Sequence, residues 1–344
     1  MQKRILLLYT GGTIGMKQDP VTLALKPFNF NQILEEVPEL KKFGCEIDTY
    51  SFDPLIDSSD MQPEFWVRLA VMIQENYSRY DGFVVLHGTD TMSYSASALS
   101  FMLHNLSKPV VFTGSQLPVG VLRSDAKENL LTAIEIAAAK DENGNAMVPE
   151  VTIFMDDALY RGNRTTKRNA EHFSAFNSYN YPALARAGVR ITFQKQFIHY
   201  PQRDAKLHLR DKTDCNVAVL KLFPGITEPV VKAILSTPGL RGVVLETYGA
   251  GNAPSCDWLY QDLRDAVKRG IIIVNKTQCN TGSVAMGQYA VSLPLLKAGV
   301  ISGYDITTEA LLTKMMYLFG EYPDNNELVK ELLQTPLCGE LTRV

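Results

Sequence analysis

The 344-residue chain has few cysteines, little net charge and no long apolar run, and each shortage excludes a class of protein. Its five cysteines are odd in number and form no CxxC pair, which argues against a disulfide framework or a structural zinc site and is typical of a reducing cytosol. With a net charge of -3, the chain has no excess of basic residues to form the positively charged surface that binding to nucleic acids or anionic membranes requires. No run of about 18 apolar residues occurs, and the stretch at 5–9 is too short for a signal peptide. We therefore expect a cytoplasmic protein with a small-molecule substrate and no nucleic-acid or membrane partner.

Histidine is also scarce, and the five histidines show no metal-binding spacing. We therefore expect neither a metal nor another cofactor. His87 directly follows an apolar run and is predicted to be a packed, hydrogen-bonded residue at a strand end rather than a ligand.

The alternation of short apolar runs with amphipathic segments predicts an α/β protein, with helices packed on both faces of a parallel sheet. The length favours two domains, because a single core rarely organises more than about 250 to 300 residues. Residues 193–214 break the alternation with scattered charge, two histidines and a proline. We predict an N-terminal α/β domain at 1–193, a connecting segment at 194–214 and a C-terminal α/β domain at 215–344.

The apolar pattern also places individual elements. Strands are predicted at 5–9, 46–50, 83–86, 110–113, 151–155, 217–222, 242–245 and 271–275. Helices are predicted at 63–77, 92–106, 124–139, 228–235, 258–269, 308–319 and 327–333.

Two glycine-bearing motifs directly follow predicted strands. TGGTIG (10–15) follows the first strand, and its Gly12 would let a ligand approach the main chain beside Thr13. The alternative is a dinucleotide-type turn, but the third glycine of GxGxxG is missing. HGTDT (87–91) follows the third strand, and the polar residues after Gly88 could simply cap the next helix. Two such loops at strand ends favour a ligand site, because ligands of open α/β sheets bind at the carboxyl ends of strands.

Two further motifs have structural alternatives. DSSD (57–60) either contacts a ligand or forms a turn with local side-chain to backbone hydrogen bonds. The sequence LYRGNRTTKRN (159–169) carries four basic residues, and such a run is typical of a solvated face rather than a site. These four residues are Arg161, Arg164, Lys167 and Arg168.

Taken in order, the motifs resemble the bacterial L-asparaginase family. TGGTIG, DSSDM, HGTDTM, TGSQLP (113–118) and LYRGNRTTK occur in the family's order and approximate spacing, and GAGNAP (249–254) extends the resemblance into the second predicted domain. The chain is most similar to the cytoplasmic type I enzymes. The resemblance implies two α/β domains, the larger one first, with a mainly parallel sheet flanked by helices. It also implies a homodimer or homotetramer whose active sites are completed by a neighbouring subunit.

The resemblance further implies hydrolysis of L-asparagine to L-aspartate and ammonia through a covalent acyl-enzyme. Thr13 matches the family's nucleophile, and Thr89, Asp90 and Lys167 match its second catalytic cluster. General chemistry agrees, because an amide carbonyl resists a neutral hydroxyl unless a base removes the proton and fixed donors stabilise the oxyanion. The threonine, lysine and aspartate of the cluster are best treated as one coupled proton relay.

Substrate contacts are implied in the same way. The matching positions are Gly12, Asp57, Ser58, Ser59, Gly88, Ser115 and Asn252. Ser58 and Ser59 would hold the α-carboxylate, with Asp57 beside them, while Asp90 would meet the α-ammonium. Ser115 would offer its backbone carbonyl to the leaving amide nitrogen. Asn252 would reach across a subunit interface.

The chain departs from the family at two places. No tyrosine occurs from residue 10 through 49, where the family's mobile loop supplies one, so the activator of Thr13 is unassigned. Allosterically controlled relatives carry an arginine where this chain has Glu246, which cannot bind a carboxylate effector as an arginine fork does. Thr277 and Cys279 match the same possible allosteric region.

Two other functions remain open on the sequence. Glutamine is one methylene longer than asparagine, worth only about 1 to 3 kcal/mol of discrimination, so a glutaminase or a glutamine-hydrolysing subunit is an alternative. The other is a non-catalytic sensor of asparagine or aspartate. An intact nucleophile and relay argue against the sensor.

Overall fold

The structure is a computed structural model that describes residues 2–18, 25–27, 37–202, 205–286 and 293–343. Its chain divides into two compact units, Met1–Arg210 and Asp211–Val344. The division falls inside the segment that the sequence assigns to the connection. Each unit contains its own sheet, helices and apolar core.

The first unit is built on an eight-stranded, mainly parallel sheet. Its strands, with those of three small ribbons, are β1 (Lys3–Tyr9), β2 (Met16–Gln18), β3 (Leu25–Pro27), β4 (Cys45–Ser51), β5 (Gly82–Leu86), β6 (Leu103–His104), β7 (Val110–Thr113), β8 (Val151–Met155), β9 (Ala158–Arg161), β10 (Thr166–Lys167), β11 (Phe176–Asn177), β12 (Ala185–Arg186), β13 (Thr192–Phe193) and β14 (His208–Leu209). The order across the large sheet is β13-β12-β9-β8-β7-β5-β1-β4. Five neighbouring strands of this sheet, β8, β7, β5, β1 and β4, run parallel, whereas β9, β12 and β13 each pair antiparallel with the strand before them in this edge of the sheet.

Continuous apolar sequence explains the central strands. β5 and β8 are buried along their whole length, as expected for strands that are covered on both faces. Among the described residues of this unit, the helices are α1 (Pro63–Asn76), α2 (Met92–Met102) and α3 (Ala126–Ala138), and 3₁₀ turns lie at Thr13–Gly15, Pro38–Lys42, Ser58–Asp60, Gly162–Arg164 and Lys195–Phe197. Apolar residues of α3 and of the central strands, such as Leu130, Val84 and Val111, share one core cluster.

The predicted helix at 92–106 is too long. α2 ends at Met102, and Leu103–His104 instead forms the strand β6, which pairs antiparallel with β14. Asn105 follows the strand with a φ of 60°, a left-handed conformation that is incompatible with the predicted continuation of the helix to residue 106. Apolar periodicity continues through Leu106, so the sequence pattern alone could not reveal this strand, whose partner lies about a hundred residues away.

The second unit repeats the α/β alternation on a four-stranded parallel sheet. Its strands, in spatial order, are β15 (Val217–Lys221), β16 (Gly242–Thr247), β17 (Ile272–Thr277) and β18 (Ile301–Ser302). The helices are α4 (Glu228–Leu235), α5 (Asp257–Lys268), α6 (Leu293–Lys297), α7 (Thr308–Glu321) and α8 (Asn326–Leu333). Thr307 caps α7 and Asn325 caps α8 through their side-chain oxygens.

The predicted fold class is therefore confirmed, with two α/β units, the larger one first. The longer predicted strands and helices of both units are present, with ends that mostly differ by one or two residues. Among the described residues, no helix is long and apolar enough to cross a membrane.

Candidate active site

Four polar loops of the first unit leave the same edge of its sheet. TGGTIG follows β1, DSSD follows β4, HGTDT follows β5 and TGSQLP begins at the end of β7. These four strands are neighbours and run parallel, so their carboxyl ends lie side by side. The backbone N–H of Thr10 donates to Leu86 O at 3.0 Å, and that of His87 donates to Thr113 O at 3.0 Å. The sheet thus brings the motifs together at the place where ligands of open α/β sheets bind.

Close backbone contacts join three of these loops. Gly12 has a φ of 90°, and a Cβ built there would lie 2.5 Å from Gly88 N. A Cβ at Gly88 would lie 2.4 Å from Ser58 Oγ. Only residues without a side chain permit these approaches. Thr13 therefore directly follows the residue that contacts the loop carrying Thr89, and Thr13 itself is only half-buried.

Lys167 connects two side chains of the HGTDT loop. Its Nζ lies 2.8 Å from Thr89 Oγ1 and 2.7 Å from Asp90 Oδ1. The lysine side chain is 18% exposed, whereas that of Asp90 is 64% exposed. The predicted cluster of Thr89, Asp90 and Lys167 is therefore assembled, with the lysine as its central member.

A buried cluster fixes the segment that leads to Lys167. Arg161 and Arg164 are 4% and 2% exposed, and both guanidinium groups lie over the Tyr181 ring, at 4.3 and 5.1 Å. Arg161 also forms an ion pair with Glu150 at 2.5 Å. The prediction of a solvated basic face is therefore wrong for these two arginines, because partners distant in the sequence pair with them. Beyond the turn, Lys167 pairs with Phe176 in the β10–β11 hairpin.

The TGSQLP loop is held by a carboxylate that the sequence reasoning missed. Asp125 accepts hydrogen bonds from Gln116 N at 3.0 Å and Leu117 N at 3.1 Å. Asn129, one turn later in α3, donates to Asp125 at 3.1 Å and to Gly114 O at 3.0 Å. Ser115 lies between these anchors and is buried. No local sequence signal marks this clamp, because the loop and the start of α3 meet only in the folded structure.

The DSSD motif forms the turn with local side-chain hydrogen bonds that was one of its two interpretations from the sequence. Asp57 caps the Ser58–Asp60 turn, accepting from Ser59 N at 2.9 Å and Ser59 Oγ at 2.8 Å. These bonds from the Ser59 backbone and hydroxyl lower the pKa of Asp57. Thr91 Oγ1 donates to Ser58 O at 2.6 Å, which ties the turn to the HGTDT loop. Ser58 is buried against Gly88, whereas Asp57 and Ser59 are exposed.

His87 is packed and hydrogen-bonded, as predicted from the sequence. Its Nδ1 lies 2.7 Å from Gly88 O, so that nitrogen carries the proton and donates. Ser95 Oγ lies 2.9 Å from the other ring nitrogen and accepts from Trp66 Nε1 at 2.9 Å. Burial lowers the pKa of His87 to about 4, which keeps the ring neutral. This chain of hydrogen bonds orients the peptide that follows Gly88.

Tyr9 lies beneath the TGGTIG loop but is poorly suited to act as a base towards Thr13. Its hydroxyl donates to Gly12 O at 3.5 Å, and burial raises its pKa. The stretch 10–49, where the resemblance led us to look for a tyrosine, includes 19–24 and 28–36, which lie outside the described residues. The activator of Thr13 stays unassigned.

The remaining predicted residues lie in the second unit. Asn252 forms a bridge with Tyr248 between backbones, and its buried Oδ1 has no partner in the described part of the chain. Glu246 is buried on β16, where Thr308 Oγ1 donates to it at 2.7 Å and Lys221 lies 3.6 Å away. Thr277 ends β17, and its Oγ1 accepts from Cys279 N at 3.0 Å. Across residues 2–18, 25–27, 37–202, 205–286 and 293–343, no group of three His, Cys, Asp or Glu residues is arranged to hold a metal.

Comparisons with known proteins agree with this architecture. Residues 4–199 match the family "Asparaginase, N-terminal", and residues 216–332 match the "Glutaminase/Asparaginase C-terminal domain". L-asparaginase 1 of Escherichia coli K12 is 45% identical over 344 residues, covering 99% of both chains. The human 60 kDa lysophospholipase is 40% identical over 99% of this chain, which spans 62% of that longer protein. The crystal structure of L-asparaginase I from Vibrio cholerae superposes with a TM-score of 0.90 at 42% identity, covering 100% of both chains. The chain belongs to the asparaginase family and is an amidohydrolase of the L-asparaginase type.

Proposed function

We propose that the protein hydrolyses L-asparagine to L-aspartate and ammonia. The observation that carries the proposal is the position of Lys167 Nζ, at 2.8 Å from Thr89 Oγ1 and 2.7 Å from Asp90 Oδ1. This cluster lies beside the Gly12–Gly88 contact that brings the Thr13 loop to the same strand ends. A hydroxyl, an amine and a carboxylate in one chain of hydrogen bonds can move a proton between an attacking oxygen and a leaving nitrogen.

In the proposed reaction, Thr13 Oγ attacks the side-chain carboxamide carbon of asparagine. The carbon–nitrogen bond breaks, ammonia leaves with the proton that the threonine lost, and an aspartyl ester remains on Thr13. Water then attacks this ester, releasing aspartate and restoring the hydroxyl. Backbone N–H groups of the loops at Gly12 and Gly88 are suited to stabilise the oxyanion of each step.

Substrate recognition is proposed to come from the loops around this cluster. Ser58 and Ser59 would hold the α-carboxylate, and the Ser59 hydroxyl would exchange its hydrogen bond to Asp57 for one to the substrate while its N–H stays on Asp57. Asp90, exposed beside Lys167, would accept from the α-ammonium. The carbonyl of Ser115 would accept from the amide nitrogen, in a loop clamped by Asp125.

Substrate choice is tested by ammonia release from L-asparagine, L-glutamine and D-asparagine in parallel. We expect the highest kcat/KM with L-asparagine. A higher kcat/KM with L-glutamine would establish the glutaminase alternative, which the name of the matching C-terminal family also includes. Calorimetry that detects tight asparagine binding without aspartate formation would instead establish the sensor.

The role of Thr13 is tested separately. Thr13→Ala should release ammonia at least about 10²-fold more slowly, because it removes the nucleophile. Thr237→Ala changes an exposed threonine of the second unit and serves as the control that should match the wild type. Wild-type turnover by a folded Thr13→Ala protein would overturn the acyl-enzyme proposal.

Assembly and regulation belong to the same proposal. We propose a cytoplasmic homodimer or homotetramer in which Asn252, which is only half-buried in this chain, contacts a neighbouring subunit. Sedimentation analysis would measure the oligomeric state. We also propose that carboxylate effectors do not activate the enzyme, because Glu246 already engages Thr308 and Lys221. A sigmoidal dependence of rate on asparagine would contradict this point.

A further inference from the structure

The side chain of Gln116 bridges two parts of the proposed site. It projects from the TGSQLP loop and is half-buried. Its Nε2 donates to His172 O at 3.1 Å, and its Oε1 accepts from Thr89 Oγ1 at 3.4 Å. One amide therefore touches the threonine of the relay and the tip of the hairpin that carries Lys167.

The contact with His172 fixes which way the amide faces. A backbone carbonyl only accepts hydrogen bonds, so the NH₂ group of Gln116 must point towards His172 and its oxygen towards Thr89. An amide oxygen also only accepts, so the hydroxyl hydrogen of Thr89 points towards Gln116. The lone pairs of Thr89 Oγ1 are then left for Lys167 Nζ at 2.8 Å.

The backbone of Gln116 is also anchored. Its N–H donates to both carboxylate oxygens of Asp125, at 3.1 and 3.0 Å. The hairpin is anchored at its other end by the pairing of Lys167 with Phe176. Gln116 thus spans two fixed supports, which lets its amide define the orientation of the group between them.

We propose that Gln116 is a positioning residue that sets the direction of the Thr89 hydroxyl and fixes the Lys167 hairpin against the TGSQLP loop. While the lysine donates to Thr89, the hydroxyl hydrogen rests on Gln116. When the lysine gives up its proton, the hydroxyl turns to donate to it. The 3.4 Å bond to Gln116 is long and is therefore readily exchanged. This inference rests on the proposed asparagine hydrolysis.

The test uses two substitutions in the full-length protein, with L-asparagine as substrate. Gln116→Met keeps a side chain of similar length and removes both hydrogen bonds. We expect kcat to fall about 2- to 10-fold, the range for losing one net hydrogen bond, with little change in KM. Gln116→Glu places a negative charge within about 6 Å of Lys167 Nζ, along the 2.8 and 3.4 Å bonds. It should move the lysine-dependent limb of the kcat-against-pH profile up by about one pH unit.

Gln196→Glu and Gln196→Met provide matched controls, because Gln196 is exposed and its side chain bonds to another glutamine, Gln194. They should retain the wild-type kcat and pH profile. A pH profile for Gln116→Glu that coincides with that of Gln196→Glu would overturn the inference, as would an unchanged kcat in Gln116→Met. A Gln116 variant that changes only the melting temperature would show a structural role and would overturn it too. If the wild type itself releases no ammonia from asparagine, the proposed function has failed rather than the role of Gln116.

Discussion

Replacing Gly88 with alanine tests the close contact on which the arrangement of the site depends. The added Cβ would lie 2.4 Å from Ser58 Oγ and 2.7 Å from Ser58 Cβ. Ordinary contacts between such atoms begin near 3.4 Å, so Ser58 or the HGTDT loop must move by about 1 Å. Ser58 is 3% exposed and has little space to move into. We expect a loss of unfolding free energy of about 1 to 3 kcal/mol, as for overpacked cores.

The same movement should impair turnover. A displacement of about 1 Å near reacting groups can cost about 10²-fold in rate, so we expect a comparable loss in kcat/KM for asparagine. Urea denaturation measures the stability, and ammonia release measures the kinetics. Gly188→Ala is the matched control, because a Cβ there would meet nothing closer than 3.9 Å.

A double variant separates the steric clash from the chemistry. Gly88→Ala combined with Ser58→Gly removes the atoms that collide, so its stability should equal that of Ser58→Gly within about 0.5 kcal/mol. The KM of the double variant for asparagine should stay above that of the wild type, because Ser58, the proposed partner of the substrate's α-carboxylate, has lost its hydroxyl. The reasoning is refuted if Gly88→Ala is as stable and as active as Gly188→Ala.

Two further predictions concern groups buried elsewhere. Lys314 and Glu340 form an ion pair at 2.5 Å, and both side chains are fully buried. Lys314→Met should lower the unfolding free energy measured in urea by about 3 to 5 kcal/mol, because it leaves a buried charge without a partner. The double variant Lys314→Met with Glu340→Gln should regain part of the lost stability, and a loss below about 1 kcal/mol in the single variant would contradict the prediction. Burial lowers the pKa of His87 to about 4, from 6.5, so the unfolded chain binds this proton more tightly and stability is lost as pH falls from about 6.5 towards 4. At pH 4.5 this loss of unfolding free energy should reach roughly 2 to 3 kcal/mol in the wild type and be absent in His87→Gln. The same pH dependence of unfolding free energy in the wild type and in His87→Gln would contradict the prediction.

The sequence predicts the parts of the fold that local pattern controls. β7 and β8 have the predicted bounds, because each is a short, continuous apolar run inside a parallel sheet. α4 likewise begins and ends as predicted. The pairing of Leu103–His104 with β14 depends on residues about a hundred positions away, and no local signal marks it. The burial of Arg161 follows in the same way from Glu150 and Tyr181, which the run of basic letters does not reveal.

The candidate site was predictable in part. Strand-end loops rich in glycine and hydroxyl groups indicate a ligand site from elementary topology, and Thr13 and Thr89 lie in them. No such topological rule predicts that Lys167 belongs to the site. Only the family resemblance indicated it, and the structure has its Nζ beside Thr89. Gln116 and Asp125 act through tertiary hydrogen bonds, which become visible only when the loop and the start of α3 are seen together.

The central claim is that Lys167 is the middle of a proton relay, and substituting it tests this most directly. Ammonia release from L-asparagine by Lys167→Met should fall by about 10² to 10⁴-fold relative to the wild type, with the protein still folded. Arg168→Met alters the neighbouring residue of the hairpin, whose guanidinium bonds only to Ser174 among the described residues, and should stay within about threefold of the wild type. If Lys167→Met and Arg168→Met release ammonia at similar rates, the relay does not exist.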